Sequence, residues 1–218
     1  MNKKKNLICD VDGTLIDRMP IYRDVFCSLA GEKGVSRDVA AAFYYDTVGT
    51  PLSRQFKRIF EEQRIAFSEN EIEELSKRFF EIAAQTKPLL FPSVLETIKE
   101  LRRKRISLFL TSGSNTREMT AFFQEIGIVQ EFKIILGSDE TEKGPAHIIA
   151  FAEASGLALS DFCRETAYIG DGPADMRIAK EFGLLGIGIT NTVPAEKLRE
   201  AGATEIVTDF RDVVSFFD

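Results

Sequence analysis

Apolar and polar positions follow two different rhythms along this chain. Near the amino terminus, Asn6-Leu7-Ile8-Cys9-Asp10-Val11 is a short apolar run that stops at acidic residues and Gly13. Such a run is expected of a parallel strand covered on both faces that opens into a loop at its carboxyl end. From Asp17 to Lys87 the rhythm becomes helical and charge-rich. Phe56, Ile59 and Phe60 share one face and Ile72, Leu75, Phe79 and Ile82 another, with no strand signal between them. Beyond Pro88 and Pro92 strands and helices alternate. Helices are expected near 94–103, 116–126, 146–154, 174–182 and 195–201, and strands at 106–110, 133–136, 166–169, 184–189 and 205–207.

Repeated strand–helix alternation implies an α/β fold: a Rossmann-like, mostly parallel sheet sandwiched by helices, with ligands expected at the carboxyl ends of its strands. Residues 17–87 then form a small all-helical insertion after the first strand. The core is left to residues 1–16 and 88–218, which make up 147 of the 218 residues. The insertion is nearly neutral, with 11 basic and 12 acidic side chains, whereas the whole chain carries a net charge of -6, so the core holds most of the negative excess. That balance argues against nucleic-acid or anionic-membrane partners. No apolar stretch approaches the roughly 18 residues of a membrane span. Cys9, Cys27 and Cys163 lack metal-ligand spacing and are expected to be reduced, buried thiols, as in a cytoplasmic protein.

Candidate chemistry clusters just past the strands. Asp10 and Asp12 close the first, Thr111 and Ser112 close Leu108-Phe109-Leu110, Lys143 precedes a helix, and Gly170-Asp171-Gly172-Pro173-Ala174-Asp175 comes directly after Tyr168-Ile169. In a parallel sheet those ends lie side by side. Carboxylates crowded in this way repel unless a cation sits among them, and an all-oxygen set suits Mg2+. Lys143 and such an ion would keep Asp10 ionised as a nucleophile, leaving Asp12 to donate a proton. Gly13 allows close backbone approach to an anion, and Thr111, Gly113 and the start of the next helix offer donors to phosphate oxygens.

At these residues the chain resembles the haloacid dehalogenase superfamily of phosphatases. Asp10-Val11-Asp12-Gly13-Thr14-Leu15 with Asp17, then Thr111, Lys143 and Gly170-Asp171 to Asp175, occur in that family's motif order. The likeness spans the whole chain, because the helical insertion looks like the cap of its phosphoglycolate-phosphatase-like branch. The resemblance implies Asp10 as nucleophile and metal ligand and Asp12 as general acid and base with its main-chain carbonyl on the metal. It also implies Thr111 and Lys143 on the phosphoryl group, with Ser112, Gly113 and Gly13 around it, Asp171 as metal ligand and Asp175 supporting the metal's water shell. Lys143-Gly144-Pro145 departs from the family's direct lysine–proline step by one residue.

The function this implies is Mg2+-dependent hydrolysis of a small phosphorylated metabolite through an aspartyl phosphate. A sugar-phosphate mutase on the same core is the alternative. A dehalogenase site would lack Asp12. A phosphonatase would need a cap lysine among Lys33, Lys57, Lys77 and Lys87. A non-catalytic phosphorylation-responsive receiver would have no use for a helical insertion. Arg18, Gly49 and Arg54 are candidates for contact with the leaving group, although surface arginines are the ordinary expectation. His147, the sole histidine, falls four residues after Lys143 and is expected to be a packing residue.

Overall fold

The computed structural model describes residues 4–48, 50–86, 89–139 and 141–218. The chain divides into two compact units, Met1–Ile16 with Leu90–Asp218, and Asp17–Leu89. Gly49 and Lys87 lie outside the described residues. No helix is long and apolar enough to cross a membrane among the described residues.

The first unit is built on six strands: β1 (Asn6–Asp10), β2 (Ser107–Thr111), β3 (Phe132–Leu136), β4 (Thr166–Gly170), β5 (Leu185–Ile189) and β6 (Glu205–Val207). They pair in the order β3-β2-β1-β4-β5-β6, and every pairing is parallel. The order reverses at β1, which lies between β2 and β4. Chain connections therefore leave β1 in opposite directions and open a crevice at its carboxyl end.

Side-chain alternation assigns each strand residue to one of two apolar layers. Leu7 and Cys9 join Leu108, Leu110, Ala167 and Ile169 in the larger one, together with Val94, Ile98 and Leu101 of a helix at Val94–Arg103. Ile8 shares the other with Phe109 and Tyr168, its register partners, and with Ile148, Phe151 and Phe162. Those last residues come from helices at Pro145–Ser155 and Leu159–Arg164. Both faces of β1 are thus covered, which is why its sequence reads as a continuous apolar run rather than an alternation. The remaining helices of this unit are Thr116–Glu125, Pro173–Glu181 and Ala195–Ala201, with single 3-10 segments at Val129–Glu131 and Phe210–Phe217.

The second unit is a four-helix assembly of Met19–Glu32, Arg37–Asp46, Leu52–Glu62 and Glu69–Ala83. Phe26 lies at its centre, with its ring stacked on Phe56 at 4.7 Å and on Phe43 at 6.2 Å. Ser68 and Glu71 close the start of the last helix with a capping box, the serine side chain accepting from the Glu71 amide and the glutamate from that of Ser68. One expectation for this helix fails. Ile72, Leu75, Phe79 and Ala83 form its buried stripe, and Ile82 is exposed, because the periodicity continues through the small Ala83 rather than through the larger residue beside it.

Phe109 is fully buried and touches Phe151 and Phe162 at ring separations of 5.2 and 5.5 Å. Phe109→Ala removes the central ring of that layer and is expected to cost about 3–5 kcal/mol, read as a lowered urea midpoint by circular dichroism. A loss under about 1 kcal/mol would mean that the layer collapses to refill the gap.

Candidate active site

Parallel register brings the chemistry of distant segments into one place. Asp10 pairs with Thr111 across β1 and β2, and Cys9 pairs with Ile169, so Gly170 and Asp171 stand beside the end of β1. Asp10 and Thr111 share the sheet face of Ile8, Phe109 and Tyr168. The helix Pro145–Ser155 covers that face, and Lys143 lies just before the helix begins.

Lys143 is the hub of this cluster. Its Nζ lies 2.5 Å from Asp10 Oδ1 and 2.6 Å from Asp175 Oδ1, and all three side chains are almost completely buried. Burial opposes the lysine's charge, but Asp10 and Asp175 outweigh it and hold the ammonium protonated well above its usual range. The Lys143 backbone is tied down as well, its amide donating to Ser138 Oγ at 3.0 Å. Asp175 is fully engaged: the Tyr168 hydroxyl donates to its Oδ1 at 3.0 Å, and the Gly172 amide donates to its Oδ2 at 3.1 Å. This packing explains Gly170, where an added Cβ would meet Asp175 atoms at 2.5 Å.

Asp171 is held differently. The Thr14 hydroxyl lies 3.1 Å from both Asp171 Oδ1 and Asp10 Oδ2 and bridges the two acids, while Asp171 Oδ2 is buried with no hydrogen-bond partner. Burial, reinforced by the charge of Asp175, pushes the Asp171 carboxyl up to about 6. Burial also raises Asp10 well above the carboxylate range, with Lys143 opposing and Asp175 and Asp171 adding to the rise. Oxygens of Asp10, Asp171 and Asp175 lie within 4.8 Å of one another. Three carboxylates around one ammonium, with an orphaned oxygen among them, form a site whose charge and hard oxygen donors fit a divalent cation.

Asp12 sits apart, half-buried, with its Oδ2 accepting from Ser114 Oγ at 2.8 Å and from Ser112 Oγ at 3.2 Å. Ser112 also gives its amide to the Leu136 carbonyl at the end of β3, extending the β2–β3 pairing, while its hydroxyl oxygen accepts from the Ser114 amide. Gly13 takes φ +89, its amide donating to the Ile16 carbonyl and its own carbonyl accepting from Asn191 Nδ2 at 2.9 Å. Its glycine requirement is that of a turn with positive φ. Gly113 is exposed in the loop after β2, before a helix capped by Asn115. Thr111 is buried with its hydroxyl 2.8 Å from His147 Nδ1. Arg18 and Arg54 belong to the helical unit, where Arg18 donates to the Tyr22 hydroxyl at 2.8 Å and Arg54 is exposed.

The roles of Thr14, Tyr168, Ser114 and Asn191 escape a reading of the sequence. A tyrosine inside Thr166–Gly170 looks like core, and a threonine in the first loop looks like turn chemistry. Only a strand-parity argument would have turned Tyr168 toward Asp175.

The model of the family described as haloacid dehalogenase-like hydrolase matches residues 7–189. A protein named "Probable phosphatase IndB" from Dickeya dadantii is 26% identical, over 97% of this chain and 92% of its own length. A phosphoglycolate phosphatase from Photorhabdus laumondii is 25% identical, over 94% and 89%. Among solved structures, a predicted phosphoglycolate phosphatase from Haemophilus somnus covers 100% of both chains with a TM-score of 0.80 at 19% identity. A hydrolase from Pseudomonas syringae covers 97% of both, with a TM-score of 0.82 at 18% identity.

The raised carboxyl of Asp171 predicts how stability depends on pH in metal-free protein. Its folded value, about 6, exceeds the ordinary 3.8, so the protonated form is favoured by folding. That contribution is complete below about 4 and is lost as pH rises through 6. Asp171→Asn should therefore stabilise the metal-free protein at pH 8 by on the order of 2–3 kcal/mol and do little at pH 4. Thermal melts at the two pH values test this, and a variant less stable than wild type at pH 8 would contradict it.

Proposed function

This chain belongs to the haloacid dehalogenase-like hydrolases, and we propose that it is a phosphatase that hydrolyses a small phosphomonoester through an aspartyl phosphate on Asp10. The observation that carries this reading is the buried Asp10 carboxylate. It is fixed by Lys143 and Thr14, flanked by Thr111 and surrounded by more negative charge than its single lysine balances. Relatives named phosphatases, matched over nearly the whole chain, support it.

In the proposed reaction Asp10 attacks phosphorus in line, and Asp12, held by Ser112 and Ser114, protonates the departing alcohol. Asp12 then takes a proton from the water that hydrolyses the acyl phosphate, which regenerates both acids. Asp12 suits this exchange because it is half-buried and accepts from two serine hydroxyls, whereas Asp10 is locked against an ammonium. Lys143 neutralises charge on the transferring group, and Thr111 contacts it from β2. Asp175, both of whose oxygens are occupied, acts by holding Lys143 rather than by direct ligation. Asp10, the Asp12 carbonyl and Asp171 are the proposed holders of a divalent cation, Mg2+ by the hardness of their oxygens. When bound it supplies charge neutralisation at the phosphoryl oxygens. Such transfer depends mainly on positioning and electrostatics, which is what a rigid, buried cluster at a switch point provides. Selection among metabolites is assigned to the helical insertion, with Arg18 and Arg54 as its candidate contacts.

Purified protein with Mg2+ should release inorganic phosphate from p-nitrophenyl phosphate, with the activity lost in EDTA and restored by added Mg2+. Asp10→Asn should lower kcat by about 10³-fold or more, because it removes the carboxylate that accepts phosphorus in this mechanism. Equal release of phosphate and alcohol identifies hydrolysis rather than return of the phosphoryl group to a sugar. Turnover unaffected by Asp10→Asn would sink the covalent mechanism.

A further inference from the structure

His147 is buried, with Nδ1 at 2.8 Å from Thr111 Oγ1, Nε2 at 2.9 Å from the Thr141 carbonyl oxygen, and the Gly137 carbonyl also close to the ring. A carbonyl only accepts, so Nε2 carries a hydrogen in every protonation state compatible with this geometry. The neutral ring then has a bare Nδ1, and the contact with Thr111 requires the threonine to donate its single hydroxyl proton to the imidazole. Thr111 is left with only lone pairs for the crevice beside Asp10, and lone pairs repel a phosphoryl dianion.

Resting on the phosphatase reading above, we propose that His147 is a positioning residue that couples proton uptake to phosphoryl binding through Thr111. In the empty site the ring is neutral and holds the Thr111 proton. When a phosphoryl dianion arrives, Nδ1 gains one proton taken up from solvent. The resulting imidazolium donates Nδ1–H to Thr111 Oγ1, and the Thr111 hydroxyl proton turns to a phosphoryl oxygen. One N–H bond forms, the Thr111 O–H bond only changes direction, and Nε2–H keeps its bond to Thr141 throughout.

The surroundings permit both states. Burial lowers the imidazole below its ordinary value, and the positive charge of Lys143, in the loop before the helix, lowers it further. The Thr141 and Gly137 carbonyls favour the charged ring. The other faces meet the Thr111 hydroxyl on β2 and the Phe151 ring, which carry no charge. An arriving dianion adds negative charge beside Thr111 and moves the ring toward protonation.

Because His147 is the chain's one histidine, nitrogen-15 NMR of its imidazole reads the proposal without ambiguity of assignment. Protein free of phosphate should show the Nε2–H tautomer and titrate below the ordinary histidine value. Saturation with inorganic phosphate and Mg2+ should raise that midpoint by about one unit or more. Calorimetry of phosphate binding at pH 7 in buffers of different ionisation enthalpy should show proton uptake that falls in His147→Asn. The amide oxygen of that variant can receive the Thr111 proton but cannot itself become protonated. Phosphate that binds, seen as saturable amide shifts around Asp10 and Thr111, without moving the imidazole midpoint overturns the coupling and leaves the phosphatase reading standing. An Nδ1–H tautomer in free protein also overturns it, and failure of phosphate to bind overturns both.

Discussion

One electrostatic constraint governs the α/β unit: Asp10, Asp171 and Asp175 are buried together against a single ammonium. If all three acids ionise, the cluster carries two uncompensated negative charges in a place where water cannot screen them, and the folded chain resists this by raising Asp10 and Asp171. Each neighbouring group can be read as a response. Thr14 bridges the two acids nearest the strand end, Tyr168 and the Gly172 amide satisfy Asp175, and Lys143 is protonated against the penalty of burial. Those interactions compensate one acid fully and the other two in part. The orphaned Asp171 oxygen marks where compensation stops and where a cation is favoured.

The two acids of the first loop are separated electrostatically although one residue separates them in sequence. Strand alternation turns Asp10 into the layer that holds Lys143, and the turn after β1, at the positive φ of Gly13, carries Asp12 to the serines past β2. Asp10 is therefore fixed by the Lys143 ammonium, and Asp12 accepts from the hydroxyls of Ser112 and Ser114.

Much of this was legible in the sequence because the sheet is covered on both sides. Short apolar runs such as Leu7–Cys9 and Leu108–Leu110, each ended by polar loop residues, fit buried strands, and the residues directly after such a strand lie at the carboxyl edge of the sheet. The helix Leu159–Arg164 was not legible, since six residues are too few to display a period, and neither were the 3-10 segments, whose apolar spacing mimics helix or loop. Within the site, acids at strand ends stand out because nothing structural asks for them there. Thr14, Ser114 and Asn191 do not stand out, because turns use those residue types anyway. Gly13 and Ser112 illustrate the converse: both lie at the site, yet the Gly13 amide closes a turn and the Ser112 amide pairs with the neighbouring strand, which sequence position cannot distinguish from offering a donor to an anion.

His147 shows how a residue can satisfy a packing expectation and still hold a chemical position. The loop that enters the helix delivers the Lys143 ammonium to Asp10, and the first turn of that helix delivers the His147 imidazole to Thr111. A phenylalanine there would fill the space beside Phe151 at no cost in polar desolvation. The histidine instead brings two ring nitrogens into the interior, and both find partners, one of which is the only side chain on β2 placed beside the nucleophile. Burying a polar ring is offset only when each of its nitrogens is bonded, and here that requirement fixes the direction of the Thr111 proton. The orientation of a hydroxyl at the reaction centre thus derives from the need to satisfy a ring on the helix behind it.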